Sequence, residues 1–304
     1  MSGIIERMLT LKRSLLLLLL ALTACSGGTP KIPSVFASAT PLASTSTPLP
    51  PTLTSLPLAL SINGQGLAAD ELKAEVERYK TAMTALGQTV SDDQALKTVS
   101  EDLISQFLLA QGAAESGFVL DDVGLQQRLD KLISDAGGAD QFAAWEKAHA
   151  YSDASFKESL RRSVASAWMR DKIISAVPIT AEQVHVRQIL LYNQDVANSY
   201  YSQLQAGTSF EDLAAKVDPV SRGDIGWFPR GYLTEKVVED AAFSLAVGAY
   251  SAVIPGEVGF HIVKLIERQP DRMLSPDALS SLQTRALNDW LAARRQKSNI
   301  ITTP

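Results

Sequence analysis

Apolar positions from residue 72 onward recur at spacings of three and four. Leu72, Val76, Tyr79, Met83 and Leu86 fall on one helical face. Val99, Leu103, Phe107 and Ala110 mark a second helix, opened by Ser91 with Gln94 at capping-box spacing and closed by Gly117. A third begins at Asp121, carries Leu125, Leu129 and Leu132, and stops at Gly137-Gly138. Phe142 and Trp145 mark a short fourth. Phe156, Leu160, Val164, Trp168 and Ile174 make a longer one that starts at Ser152 or Asp153 and ends before Pro178. In front of these helices, Leu58-Ala-Leu-Ser-Ile62 and Asn63-Gly64 predict a small hairpin with a two-residue turn.

After Pro178 the period changes. Strand-like runs at 184–191, 225–229, near 251–255 and 259–267 alternate with helices at 195–206, 210–217 and 236–245. Mixed elements of this length predict an α+β unit, an antiparallel sheet wrapped by helices. Ser275-Pro276-Asp277 then starts a last helix, with proline at its first position and acid in its first turn. Its stripe is Leu279, Leu282, Ala286 and Trp290, and it requires an apolar surface to cover.

The N-terminus reads as an address. Arg7, Lys12 and Arg13 precede an apolar run, Leu15 to Leu20, that is too short to span a bilayer. Leu22-Thr-Ala-Cys25 closes it and looks like a bacterial lipobox; Cys25 is the only cysteine in the chain and is the expected lipidation site. The alternative is an ordinary signal peptide ending in a chance cysteine. Removing residues 1–24 takes away three basic residues and Glu6, so the net charge moves from −5 to −7. A modestly acidic chain without a basic stripe excludes a general nucleic-acid binder. Residues 29–57 are rich in Pro, Ser and Thr and read as an extended tether.

The most specific pattern lies in Arg222-Gly-Asp-Ile-Gly-Trp-Phe-Pro-Arg-Gly231, followed by Glu239-Asp-Ala-Ala-Phe243, Gly248 and Gly259-Phe-His-Ile262. This succession resembles the parvulin family of peptidyl-prolyl cis-trans isomerases over roughly residues 180–268. The Ile-Asn-Gly turn and the late Phe156-Lys-Glu-Ser-Leu-Arg-Arg helix resemble the N-terminal domain of the SurA and PrsA chaperone families. The resemblance implies five parts: a lipoprotein signal at 1–24, a tether at 25–57, a helical chaperone domain at 58–178, a parvulin-like domain at 179–270, and a C-terminal segment at 271–304 that folds back on the helical domain. It implies isomerisation of X-Pro bonds without metal or cofactor, unfolded or newly exported polypeptides as partners, and an extracytoplasmic, membrane-anchored location.

By motif position, His261, Gln188 and Asp218 are the implied catalytic residues. Ile225, Phe228, Leu233, Val238 and Phe243 are implied to line the proline pocket, with Val237 an alternative to Val238. Gln188 departs from the family, which has histidine there, and glutamine hydrogen-bonds but does not titrate. His185 lies an odd number of residues away, which puts it on the opposite strand face unless a bulge intervenes. The loop from Asp218 to Arg222 is also shorter than the family's. Arg222 and Arg230 read as solvated surface arginines. Two further readings stay open: a chaperone whose parvulin domain binds without turning over, and a surface lipoprotein for adhesion or solute capture. The Arg222-Gly-Asp224 tripeptide is compatible with adhesion but falls within a turn of the isomerase motif.

Overall fold

A computed structural model of the chain describes residues 58–303. The signal, Cys25 and the tether lie outside the described residues. Strand β1 (Leu58–Ile62) turns at Asn63 and Gly64 into β2 (Gln65–Ala68). Both turn residues have positive φ, 54° and 83°, as a two-residue turn between twisted strands requires. Five helices follow: α1 (Ala69–Ala85), α2 (Asp92–Glu115), α3 (Asp122–Asp135), α4 (Ala139–Ala148) and α5 (Asp153–Ser175). Ser91, Asp121 and Ser152 accept hydrogen bonds from first-turn amides of α2, α3 and α5, so the polar residues read as starts serve as caps. Leu72, Val76, Val99, Leu103 and Phe107 form one core with Leu60 and Ile62 of the hairpin.

The last helix, α9 (Pro276–Gln296), packs on α2 and α5. Trp290 and Leu291 enter the core, and Leu287 joins them around Met169. Of the expected stripe, Trp290 joins these cores, while Leu279, Leu282 and Ala286 are half-buried outside them. Gly112 admits the indole: a Cβ there would lie 2.6 Å from Trp290 Cζ2. Beyond α9, strand β7 (Ile300–Thr302) adds to the edge of the hairpin, antiparallel to β1, giving the order β2-β1-β7. The Asn299 amide donates to Asn63 Oδ1 at 2.8 Å, tying the chain end to the first turn.

Between these pieces the chain builds a four-stranded antiparallel sheet from β3 (Thr180–Leu191), β4 (Asp224–Pro229), β5 (Ile254–Pro255) and β6 (Phe260–Met273), in the order β4-β3-β6-β5. Helices α6 (Gln194–Gln205) and α7 (Phe210–Val217) cover one face, over Ile189, Leu191 and Ile262. Helix α8 (Lys236–Ser244) covers the other, over Val184, Val186, Val263 and Leu265. The arrangement is the α+β class read from the sequence. The strand expected near 251–255 is regular only at its end, because Ser251 turns its hydroxyl to accept from the Val263 amide at 3.0 Å.

Candidate active site

Period-two alternation along β3 and β6 brings Gln188 and His261 to the α8 side of the sheet. His261 follows the sequence 261, 263, 265, and Val263 and Leu265 belong to that core; Gln188 follows Val184 and Val186. The two side chains meet, with His261 Nδ1 3.3 Å from Gln188 Oε1. His261 is 4% exposed. On the same face, Phe228 and Phe243 form an edge-to-face pair with centroids 6.1 Å apart, and Val238 is buried with them. Ile225 and Leu233 are half-buried against this cluster. His261 and Phe243 thus lie on the same side of the sheet.

Two carboxylates shape this face, and neither was read from the sequence as doing so. Glu239, 5% exposed, accepts from the amides of Gly231, Tyr232 and Leu233 at 2.8, 3.0 and 3.1 Å. It therefore folds the segment carrying Leu233 back onto α8. Glu235, immediately before α8, sends its carboxylate across to the β5–β6 turn. There it accepts from Glu257 N at 3.1 Å and Val258 N at 3.3 Å, and its Oε2 lies 3.4 Å from His261 Nε2. An acid at the start of a helix ordinarily reads as a partner of the helix dipole, which hides a long-range contact of this kind.

Gly223 closes the opposite side. Its carbonyl accepts from Gln188 N at 2.7 Å, and its φ is +72°. A Cβ at Gly223 would fall 2.1 Å from the Gln188 carbonyl oxygen, so the backbones touch only because the residue is glycine.

Several expectations change here. Asp218 does not reach His261 through any contact in the described residues. Its Oδ1 accepts from Val220 N and Ser221 N, both at 3.1 Å, and its Oδ2 from the Ser221 hydroxyl. The Ser221 hydroxyl and amide hold its carboxyl below the ordinary carboxylate range. The short loop lets Asp218 satisfy its own turn, which is the usual competing fate of an aspartate in a Pro-containing loop. Val237 is 52% exposed, so only Val238 belongs to the apolar cluster. Arg230 is not simply solvated: its guanidinium carbon sits 4.2 Å above the Phe243 ring centroid, and it pairs with Asp240 at 3.6 Å.

His185 bonds elsewhere, through Nε2 to Asp224 Oδ1 at 2.9 Å, and stacks on Trp227. That Asp224 oxygen also accepts from Gly226 N, so the carboxylate of the Arg-Gly-Asp tripeptide is held inside its own turn. Although burial pushes the Asp224 carboxyl up, the Gly226 amide and His185 more than offset it and hold it below its ordinary value.

The helical module carries a separate cleft of about 700 Å³ between β2, α1, α2 and α5. Leu67, Phe107 and Phe118 line it beside Glu75, Arg78 and Arg162. Its wall is mixed rather than the plain apolar face that the helical stripes suggest.

An antiparallel sheet with helices on both faces, and a buried histidine on the face that carries an aromatic pair, fits a parvulin-type peptidyl-prolyl isomerase domain. In keeping with this, residues 192–267 match the Rotamase family, described as the PPIC-type PPIASE domain. Over a wider span the chain is similar to foldase and chaperone proteins named PrsA and SurA. It is 25% identical over 202 residues to foldase protein PrsA 2 of Bacillus cereus, covering 62% of this chain and 70% of that protein. It is 23% identical to chaperone SurA of Alcanivorax borkumensis, over 68% of this chain and 56% of the relative. Over a shorter stretch it is 37% identical to the periplasmic chaperone PpiD of Haemophilus influenzae, covering 28% of this chain but 14% of that protein. A crystal structure of peptidylprolyl isomerase PrsA from Bacillus cereus superposes with a TM-score of 0.42 at 20% identity, over 69% of this chain and 83% of that one.

Proposed function

We propose that this protein is an extracytoplasmic foldase, anchored by a lipid on Cys25, that binds unfolded exported chains and isomerises their X-Pro bonds. The carrying observation is the common face of His261, Phe228 and Phe243, with Leu233 held beside them by Glu239. A peptide bond resists rotation by about 18–20 kcal/mol because the nitrogen shares its lone pair with the carbonyl. Prolyl bonds are nearly balanced between isomers yet exchange in tens to hundreds of seconds. A site accelerates the exchange by favouring the twisted amide, in which conjugation is broken. Low polarity suits that state, since the twisted amide has lost the charge separation of its planar form. Leu233, Phe228 and Phe243 are assigned to the prolyl ring, with Ile225 and Val238 behind them. Gln188, partly exposed, is assigned the polar contact to the flanking backbone, with buried His261 orienting its amide.

The anchor is supported by the sequence motif around Cys25. None of the described helices is long and apolar enough to cross a membrane. Clients are assigned to the helical module, where the mixed cleft offers both aromatic surface and charged side chains to an unfolded segment.

A second reading, binding without turnover, is favoured by Gln188 in place of a titratable partner for His261. A protease-coupled assay on a proline peptide, run beside aggregation of a denatured client with the full chain, separates the two. Acceleration with suppressed aggregation supports the foldase; suppressed aggregation with an unaltered isomerisation rate supports the second reading. Loss of both activities refutes both readings. If the missing histidine limits turnover, Gln188→His raises the rate, and an unchanged rate rules that explanation out.

A further inference from the structure

His261 has a polar partner at each ring nitrogen, and they differ in kind. Gln188 at Nδ1 is an amide, which by a half-turn of its end group either donates or accepts. At Nε2 stands a carboxylate oxygen of Glu235, 3.4 Å away, and Nε2 is buried without a hydrogen bond of ordinary geometry among the described residues. The Glu235 side chain is 13% exposed and the His261 side chain 5%. Glu235 is itself fixed by the Glu257 and Val258 amides, so it does not swing away from the ring. Gly256 provides the room: a Cβ there would lie 1.9 Å from Glu235 Oε2 and 2.7 Å from His261 Nε2. Any side chain at 256 therefore displaces the carboxylate, the ring, or both.

We infer that Glu235 is a positioning residue that keeps a proton on His261 Nε2 and holds the ring edge-on to Gln188. The inference rests on the assignment of His261 to the isomerase site. Its physical basis is an asymmetry. A bare Nε2 would set a lone pair against a carboxylate in a site closed to water, and repulsion there is poorly screened. A proton on Nε2 instead meets a negative charge 3.4 Å away. Gln188 then adapts to whatever state Nδ1 takes, donating its amide to a bare Nδ1 or accepting from a protonated one. Glutamine at 188 suits a histidine whose proton is dictated from its other side. Glu235 and Gly256 thus act as one device: the first supplies the charge, the second the space.

The test is the ¹⁵N spectrum of the histidine rings in the full chain, whose three histidines are resolved by substituting each of the others. At mildly alkaline pH the wild-type His261 is expected to show a protonated Nε2. Glu235→Ala is expected to lose that preference, and Gly256→Ala, whose methyl cannot coexist with the Glu235–His261 contact, to mimic it. Glu235→Gln, which keeps an acceptor oxygen, is expected to retain part of it. Isomerisation by Glu235→Ala should fall by about tenfold with KM less affected than kcat, while circular dichroism stays that of the wild type. A wild-type His261 with bare Nε2, or an unchanged ring spectrum in Glu235→Ala, overturns the inference. The ring spectrum is readable whether or not the wild type isomerises proline, so failure of the isomerase reading shows itself separately, as a flat rate with the expected spectrum.

Discussion

Removing the Glu239 carboxylate should release the Leu233 segment without unfolding the sheet. In Glu239→Ala three backbone amides, of Gly231, Tyr232 and Leu233, lose their acceptor together. A hydrogen bond to a charged group contributes about 1.5–3 kcal/mol. Two effects reduce the total. The variant no longer carries the desolvation cost of a buried carboxylate, and the freed amides near the half-exposed Tyr232 recover water. A net local loss of about 2–4 kcal/mol follows, which corresponds to amide exchange faster by about 30- to 1,000-fold at these three positions. Hydrogen exchange resolved to single residues measures it directly. Amides in the centre of β3, paired to both β4 and β6, should keep wild-type protection. Isomerisation should drop in parallel, because Leu233 no longer packs against the apolar cluster. Wild-type exchange rates at 231–233 in the variant would refute the assignment of Glu239 as the clasp.

Other perturbations address other parts of the account. Gly112→Ala places a methyl within 2.6 Å of the Trp290 ring and should lower stability by about 1–3 kcal/mol through overpacking, read as a lower denaturation midpoint. Truncation after Ser298 deletes β7 and the Asn299–Asn63 bonds; amide protection should fall in β1 while β3 is unaffected. The Glu211 carboxyl is held below its ordinary value, chiefly by its hydrogen bond to Lys264 at 2.8 Å. A depressed carboxyl contributes stability that is present above its unfolded value and lost as pH falls through the folded one. Glu211→Gln should therefore destabilise the protein at neutral pH and flatten the acid limb of its Tm–pH profile below about pH 4.5, the ordinary glutamate value.

Local rules carried much of this structure. The caps Ser91, Asp121, Ser152 and Ser275 each satisfy first-turn amides, and Val99, Leu103 and Phe107 of the α2 stripe are buried where its period puts them. What escaped depends on distant partners. Ile300–Thr302 is too short to show an alternation, and it becomes a strand only because β1 has a free edge. Leu287 and Leu291 lie outside the expected stripe yet pack beside Trp290, whose indole sits against Gly112. At the site, the ordered motif was enough to bring Gln188 and His261 together on paper, since the strand period does the rest. Motif position does not reveal that Asp218, a short carboxylate in a shortened loop, finds its hydrogen bonds within three residues. Glu235 was silent for the opposite reason. Its partners are more than twenty residues away, and a charged residue before a helix has an ordinary explanation.

The most direct measurement is exchange spectroscopy by NMR on a short proline-containing peptide, with the full chain present in catalytic amount. Cis-to-trans cross-peaks should appear on a sub-second mixing time, where the free peptide shows none, and the residues whose shifts respond should include Phe228, Phe243 and His261. A peptide whose isomers remain in slow exchange, or whose binding leaves those three unmoved, would contradict an isomerase site on this face of the sheet.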